Sequence, residues 1–234
     1  IPFTISANNP VNGTYGTNYF DHLTPTHTGG VGTVSYAQTS STHPDLVYDP
    51  VQGTVSGPAT IPAGTYSISI TATDSNGATS LPTSFSITID KAAQHIALNS
   101  NAPTDAKVGG SYTVLATPGA SSSALTLEVS GPCSIAGNVV TFNATGPCTI
   151  TAKQLGDVNY LDAVPATRTV QVVQGVSGVN ISSTPNPSQP GQAVTFTVSV
   201  ALDTTKTAAL KTKAAAVPTG TVSISDNGAI LGSA

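Results

Sequence analysis

Apolar residues in this chain recur at every second position over short stretches, and the stretches end in Gly, Pro, Asn or Asp. That cadence predicts antiparallel β-strands rather than helices. The clearest stretch is Thr65 to Asp74, where Tyr66, Ile68, Ile70 and Ala72 alternate with Ser67, Ser69, Thr71 and Thr73. Successive strand side chains point to opposite sides, so the first set is expected in a core and the second in water. Asp74-Ser75-Asn76-Gly77 follows as a tight turn, since Asn and Gly tolerate the positive φ that such turns demand. Phe85, Ile87 and Ile89 then alternate with Ser84, Ser86 and Thr88 to complete a hairpin.

The pattern returns after Lys91 with Tyr112, Val114 and Ala116, then Leu125, Leu127 and Val129. Further strands are expected over Val139 to Asn143, Cys148 to Lys153 and Arg168 to Val173. A third set starts near Gly175 with Val179 and Ile181, continues through Val194, Phe196, Val198 and Val200, and ends with Val222 and Ile224. The expected domains are 1–90, 91–174 and 175–234, joined by short linkers at about residues 90–92 and 173–176. The first two have roughly 80–90 residues and the last about 60, against the ~100 of a typical two-sheet β-sandwich domain, so the third reads as incomplete. Residues 203–216 are the one stretch rich in helix formers, and they hold Lys206, Lys211 and Lys213 of the chain's lysines. A short helix and a long solvated loop are both open there, and a solvated insertion is the expected role.

Composition narrows the function. With 7 Lys and Arg against 11 Asp and Glu, the net charge is −4, and there is no basic surface of the kind nucleic-acid binding needs. No apolar run approaches the roughly 20 residues of a spanning helix, so membrane insertion is not expected. Only 8% of residues are charged, but 38% are hydrophobic and set in alternation, which reads as folded and not disordered. The chain opens at Ile1 without a charged and apolar leader, so any export signal is expected to have been removed or to lie outside this stretch.

Cys133 and Cys148 stand in a near-repeat, Gly131-Pro-Cys-Ser-Ile135 and Gly146-Pro-Cys-Thr-Ile150. Each shares a strand face with the Ile two residues on, so both are expected to point inward and to form a structural disulfide across neighbouring strands in an oxidising compartment. A metal or redox role would need a His or third Cys nearby, and none is there. His22 and His27 lie in one loop-like stretch beside Asp21, and His43 neighbours Asp45. With His95 they read as exposed loop residues and not as a metal site. Asp74 reads as a turn residue, and Asp90 is a candidate calcium ligand at the first junction without a dense acidic neighbourhood.

No G-x-S-x-G elbow occurs, and Glu128 is the only Glu, so no catalytic residue, cofactor or metal is expected. Lys153 falls out of phase with the inward Cys148, Ile150 and Ala152, which disfavours an isopeptide crosslink. Tyr15, Tyr19, Tyr36 and Tyr48 offer rings for glycan stacking. The sequons at Asn12, Asn143 and Asn180 would matter only in a eukaryotic source.

Several motifs resemble tandem bacterial immunoglobulin-like repeats of surface and secreted proteins. Residues 1–90 resemble the cadherin-like immunoglobulin repeat through Leu46-Val-Tyr-Asp-Pro-Val-Gln-Gly-Thr-Val-Ser-Gly57 and Ala63-Gly-Thr-Tyr-Ser-Ile-Ser-Ile-Thr-Ala-Thr-Asp-Ser-Asn-Gly77. Residues 92–173 resemble a second type through Ala102-Pro-Thr-Asp-Ala-Lys-Val-Gly-Gly-Ser-Tyr112, the paired cysteine segments and Gly156-Asp-Val-Asn-Tyr160. Residues 176–234 resemble a third through Ser183-Thr-Pro-Asn-Pro-Ser-Gln-Pro-Gly191 and Pro218-Thr-Gly-Thr-Val-Ser-Ile-Ser-Asp-Asn-Gly228. The match of Tyr19 and Tyr66 to family core positions implies that both are buried.

The resemblance implies an all-β fold of serial, elongated immunoglobulin-like sandwiches, exported or at the cell surface. Its implied role is that of a non-catalytic stalk, spacer or adhesive segment. Members of the third type continue through more strands, so an incomplete sandwich is expected to expose sheet edges and core. Two alternatives follow: a polymer subunit whose last domain is completed by a neighbour's strand, and a carbohydrate-binding module of a secreted enzyme.

Overall fold

The computed structural model describes residues 1–202, 220–226 and 228–233, and among them every regular element is a β-strand. No helix long and apolar enough to cross a membrane occurs among the described residues. The first nine strands are β1 (Thr4–Ser6), β2 (Gly13–Thr14), β3 (Tyr19–His22), β4 (Thr26–Thr28), β5 (Ser35–Ser41), β6 (Val47–Asp49), β7 (Thr54–Gly57), β8 (Gly64–Thr73) and β9 (Thr83–Asp90). The next nine are β10 (Ala97–Leu98), β11 (Ala106–Lys107), β12 (Ser111–Thr113), β13 (Ala116–Thr117), β14 (Leu125–Ser130), β15 (Cys133–Ala136), β16 (Val139–Phe142), β17 (Gly146–Gln154) and β18 (Ala166–Val173). The last are β19 (Ser177–Thr184), β20 (Thr195–Leu202), β21 (Ser223–Asp226) and β22 (Ala229–Ser233).

The first two sets follow one plan. In the first, sheets run β2-β9-β8-β5 and β3-β7-β6, with β1 paired to β4. In the second they run β11-β18-β17-β14 and β12-β16-β15, with β10 paired to β13, so each strand has its counterpart nine places later. All pairs with a resolved register are antiparallel except β2 with β9 and β11 with β18, which are parallel. Two such facing sheets, split in this order, are the immunoglobulin-like sandwich. The chain is therefore an all-β protein of serial sandwiches.

Strand β8 shows why the alternation works. Ile68, Ile70 and Ala72 are fully buried, while Tyr66 and the intervening Ser and Thr residues are partly covered. Opposite them, Phe85, Ile87 and Ile89 of β9 are buried, with Ile68 in register with Phe85 and Tyr66 with Ile87. Leu23, Leu46 and Val55 close this core from the other side, and each fully buried aliphatic side chain contributes about 1.5–3 kcal/mol of transfer free energy. The second core gathers Tyr112, Val114, Val140, Phe142, Ile150, Val170 and Val172 in the same way.

Cys133 and Cys148 are bonded at 2.01 Å, with their Cα atoms 5.8 Å apart. The expectation of neighbouring strands needs correction. Cys133 lies on β15 and Cys148 on β17, which belong to different sheets, so the bond ties the two layers together through the core. The two Gly-Pro-Cys segments pack side by side: Gly131 has φ +96°, and a Cβ there would lie 2.1 Å from the Pro147 carbonyl oxygen. Only glycine permits that approach.

In the third set, β19 and β20 form an antiparallel ribbon from Ser177↔Leu202 to Thr184↔Thr195, and β21 pairs with β22. Val179, Ile181 and Phe196 there are 62%, 54% and 48% exposed. The stretch 203–216, read as helix or loop, lies outside the described residues. By backbone packing, Ile1–Ala97, Pro118–Thr126 and Lys153–Pro165 form one compact unit, and Leu98–Thr117, Leu127–Ala152 and Ala166–Ala234 a second.

Candidate functional site

The first compact unit contains a polar network around Asp157, Gln94 and Gln154. After β17 the chain turns at Asp157, whose Oδ1 accepts from Asn159 N at 2.8 Å and Tyr160 N at 3.0 Å. Its Oδ2 accepts from Ser122 N at 2.8 Å and Ser122 Oγ at 3.0 Å. These donors, the Ser122 N–H foremost, hold the Asp157 carboxyl below the usual carboxylate range. The turn in turn binds the residues after β9. Ala92 N donates to Asn159 O and Leu161 N to Ala92 O, both at 2.9 Å, and Lys91 Nζ donates to Asp157 O at 2.6 Å. Asn159 Oδ1 accepts from Ala63 N at 3.0 Å, and the Tyr15 and Tyr160 rings meet edge to face at 5.4 Å. Residues 90–92, expected as a linker, are thus held along their length.

Two buried amides complete the network. Gln94 Nε2 donates to the carbonyls of Leu155 and Leu161, and its Oε1 accepts from Ser121 N. Gln154 Nε2 donates to Ser121 O and Ser123 O while its Oε1 accepts from Gly119 N. Ser121 Oγ donates to Leu155 O. Gln94, Ser121 and Gln154 are buried and paired, as a polar interior requires. Sequence reasoning missed this cluster. Its available signal was Gln154 continuing the inward parity of Cys148, Ile150 and Ala152 at the end of β17.

Asp74 is built like Asp157. Its Oδ1 accepts from Asn76 N and Ala78 N, each at 2.9 Å, and its Oδ2 from Val31 N at 2.9 Å. The Ala78 N–H foremost, outweighing burial, keeps this carboxyl below its ordinary range. The expected turn therefore also fastens the loop at Val31.

The remaining candidates are dispersed. His22 and His27 stand on β3 and β4 and not in a loop, because the stretch between them is short and both flanks pair, β3 with β7 and β4 with β1. His27 Nδ1 lies 2.8 Å from Tyr36 Oη, His43 packs edge to face on Tyr66 at 5.2 Å, and His95 is exposed. Asp90 Oδ2 accepts from Asn12 Nδ2 at 3.1 Å. Among the described residues no three His, Cys, Asp or Glu side chains converge to hold an ion.

Tyr19 is 4% exposed; burial foremost, then the Asp21 charge, raises its phenol to about 12, and its hydroxyl donates to Val11 O. Tyr48 is also buried, and Tyr15, Tyr36 and Tyr66 are half-buried. Lys153 is exposed near the end of β17, Asn12, Asn143 and Asn180 are exposed, and Glu128 faces outward on β14.

No family model and no curated protein matches the chain. Among solved structures it is similar to the fibronectin(III)-like modules of Clostridium thermocellum CbhA, at 16% identity over 73% of this chain and 95% of that one, with a TM-score of 0.29. It is also similar to the D00-D0 domain of intimin, at 15% identity over 73% of this chain and all of that one (100%), with a TM-score of 0.28. The extracellular domains 3–5 of Drosophila OTK align at 13% identity over 74% of this chain and 62% of theirs, with a TM-score of 0.37. The assignment of the fold rests on the sheet order of the chain itself.

Proposed function

We propose that this chain is a non-catalytic structural segment of an exported bacterial surface protein built from immunoglobulin-like repeats, serving as a stalk that carries tension to or from neighbouring domains. The observation that supports it most is the parallel pairing of the first and last strands of the larger sheet in both sandwiches, β2 with β9 and β11 with β18. Tension entering at the start of one strand and leaving at the end of its parallel neighbour pulls the two in opposite directions along their length. Their hydrogen bonds are then loaded together in shear and not opened one at a time. The hydrogen-bonded passage through Lys91 and Ala92 and the Cys133–Cys148 bond, which suits an oxidising compartment, fit the same role. Its partners are then other domains of the same surface protein.

The test is to stretch the full 234-residue chain between handles at its two ends. Discrete unfolding events for the β2–β9 and β11–β18 sandwiches are expected. A smooth, featureless extension at low force would overturn the reading.

A further inference from the structure

Sequence parity and structure agree on one exposed aromatic ring that the tyrosines do not supply. Tyr19 points into the core, so Phe20 faces out on β3 and is 58% exposed. Phe20 is in register with Ser56 and Ser56 with Val47, which puts all three on the outer face of the β3-β7-β6 sheet. The His22 ring meets Phe20 edge to face at 5.3 Å and 86°, which steadies the ring.

Beside Phe20 opens a cavity of 220 Å³, lined by Asn12, Gly13, Thr14, Thr17, Asn18 and Phe20 among others. Its wall is a four-residue turn closed by Thr17 N donating to Thr14 O at 3.1 Å, with Gly16 at φ +83°. Glycine is the residue that position of a type II turn demands. The turn is anchored from outside, because Gly16 N donates to Ala59 O and Ala59 N donates to Asn18 Oδ1. The polar groups are therefore preset. Asn18 has its NH₂ left to donate, Asn12 uses Nδ2 on Asp90 and has Oδ1 left to accept, and the Thr14 and Thr17 hydroxyls can do either.

An uncharged ring of donors and acceptors beside an open aromatic face matches the hydroxyls and C–H face of a sugar. No cation lines the cavity to attract an anion, and the amides disfavour a wholly apolar ligand. The volume is below the ~300–1,000 Å³ of drug-sized sites, so one ring fits and not a large ligand. We propose that Phe20 together with Asn12, Thr14, Thr17 and Asn18 forms a binding site for a neutral pyranose ring stacked on Phe20. The site goes beyond the structural role above and does not depend on it.

The test is a titration of the full ¹⁵N-labelled chain with methyl glucoside, methyl galactoside and methyl mannoside to about 50 mM, since a single ring is expected to bind with a millimolar Kd. At least one glycoside should shift the amides of Thr14, Thr17, Asn18 and Phe20. Phe20→Ala removes an exposed side chain and should leave the rest of the spectrum in place while weakening binding about tenfold. Phe20→Tyr should keep binding, and Val47→Ala, on the same face, should not alter it. Absence of shifts with all three glycosides, or equal affinity in Phe20→Ala, would overturn the proposal.

Discussion

Opening the Cys133–Cys148 bond should lower the melting temperature of the second sandwich by an amount that its loop length sets. The two cysteines are 15 residues apart. Closing a loop of that size removes unfolded-chain freedom worth about 3 kcal/mol. For a sandwich of this size each kcal/mol corresponds to about 4–8 °C, so the expected drop is about 12–24 °C. Calorimetry on oxidised and thiol-reduced protein measures it, and the first sandwich, which holds no cysteine, supplies an internal reference transition. A Cys133→Ser, Cys148→Ala variant should reproduce the drop. Ala is the choice at 148 because that site is fully buried, and a Ser hydroxyl there would add an unpaired polar group. Stretching gives a second readout: reduction releases about 45 Å of extra length from the second sandwich. A drop under about 3 °C with both thiols confirmed free would refute the claim that the bond constrains the unfolded chain.

Three more expectations follow from the polar contacts and the close packing. Asp74 and Asp157 have folded-state pKa values below their ordinary 3.8. The stability they add is therefore complete above about pH 4 and lost as pH falls through the lower folded values. Acid melting curves should show this loss, and Asp74→Asn with Asp157→Asn should flatten it. Gln154→Ala strips partners from Gly119 N, Ser121 O and Ser123 O; urea unfolding should show a loss of about 2–4 kcal/mol. Gly131→Ala drives a Cβ into the Pro147 carbonyl at positive φ and should cost about 1–3 kcal/mol by the same assay, while Ala at the exposed Gly137, where nothing lies within 4 Å, should cost less.

Strand content was legible because burial on one face of a sheet imposes a period of two, and that period is written directly in residues such as Ile68, Ile70, Phe85 and Ile87. The inward direction of Cys148 and the turn at Asp74 were legible for the same local reason. Parity also marked Phe20 as outward once Tyr19 was read as core, although attention to the tyrosines passed over it. Which strands pair was not legible, because parity is the same whichever neighbour a strand takes. The two sandwiches share one sheet plan, yet their motifs resemble different repeat types, since many side-chain sets can fill one backbone arrangement. Tertiary structure alone placed Cys133 and Cys148 in opposite sheets, put His22 and His27 on paired strands, and gathered Gln94, Ser121 and Gln154 into one network. Alternation thus determined which side chains are buried, because it depends on neighbours in the chain. The partners of those side chains were decided by contacts between residues tens of positions apart, which only the closed sandwich brings together.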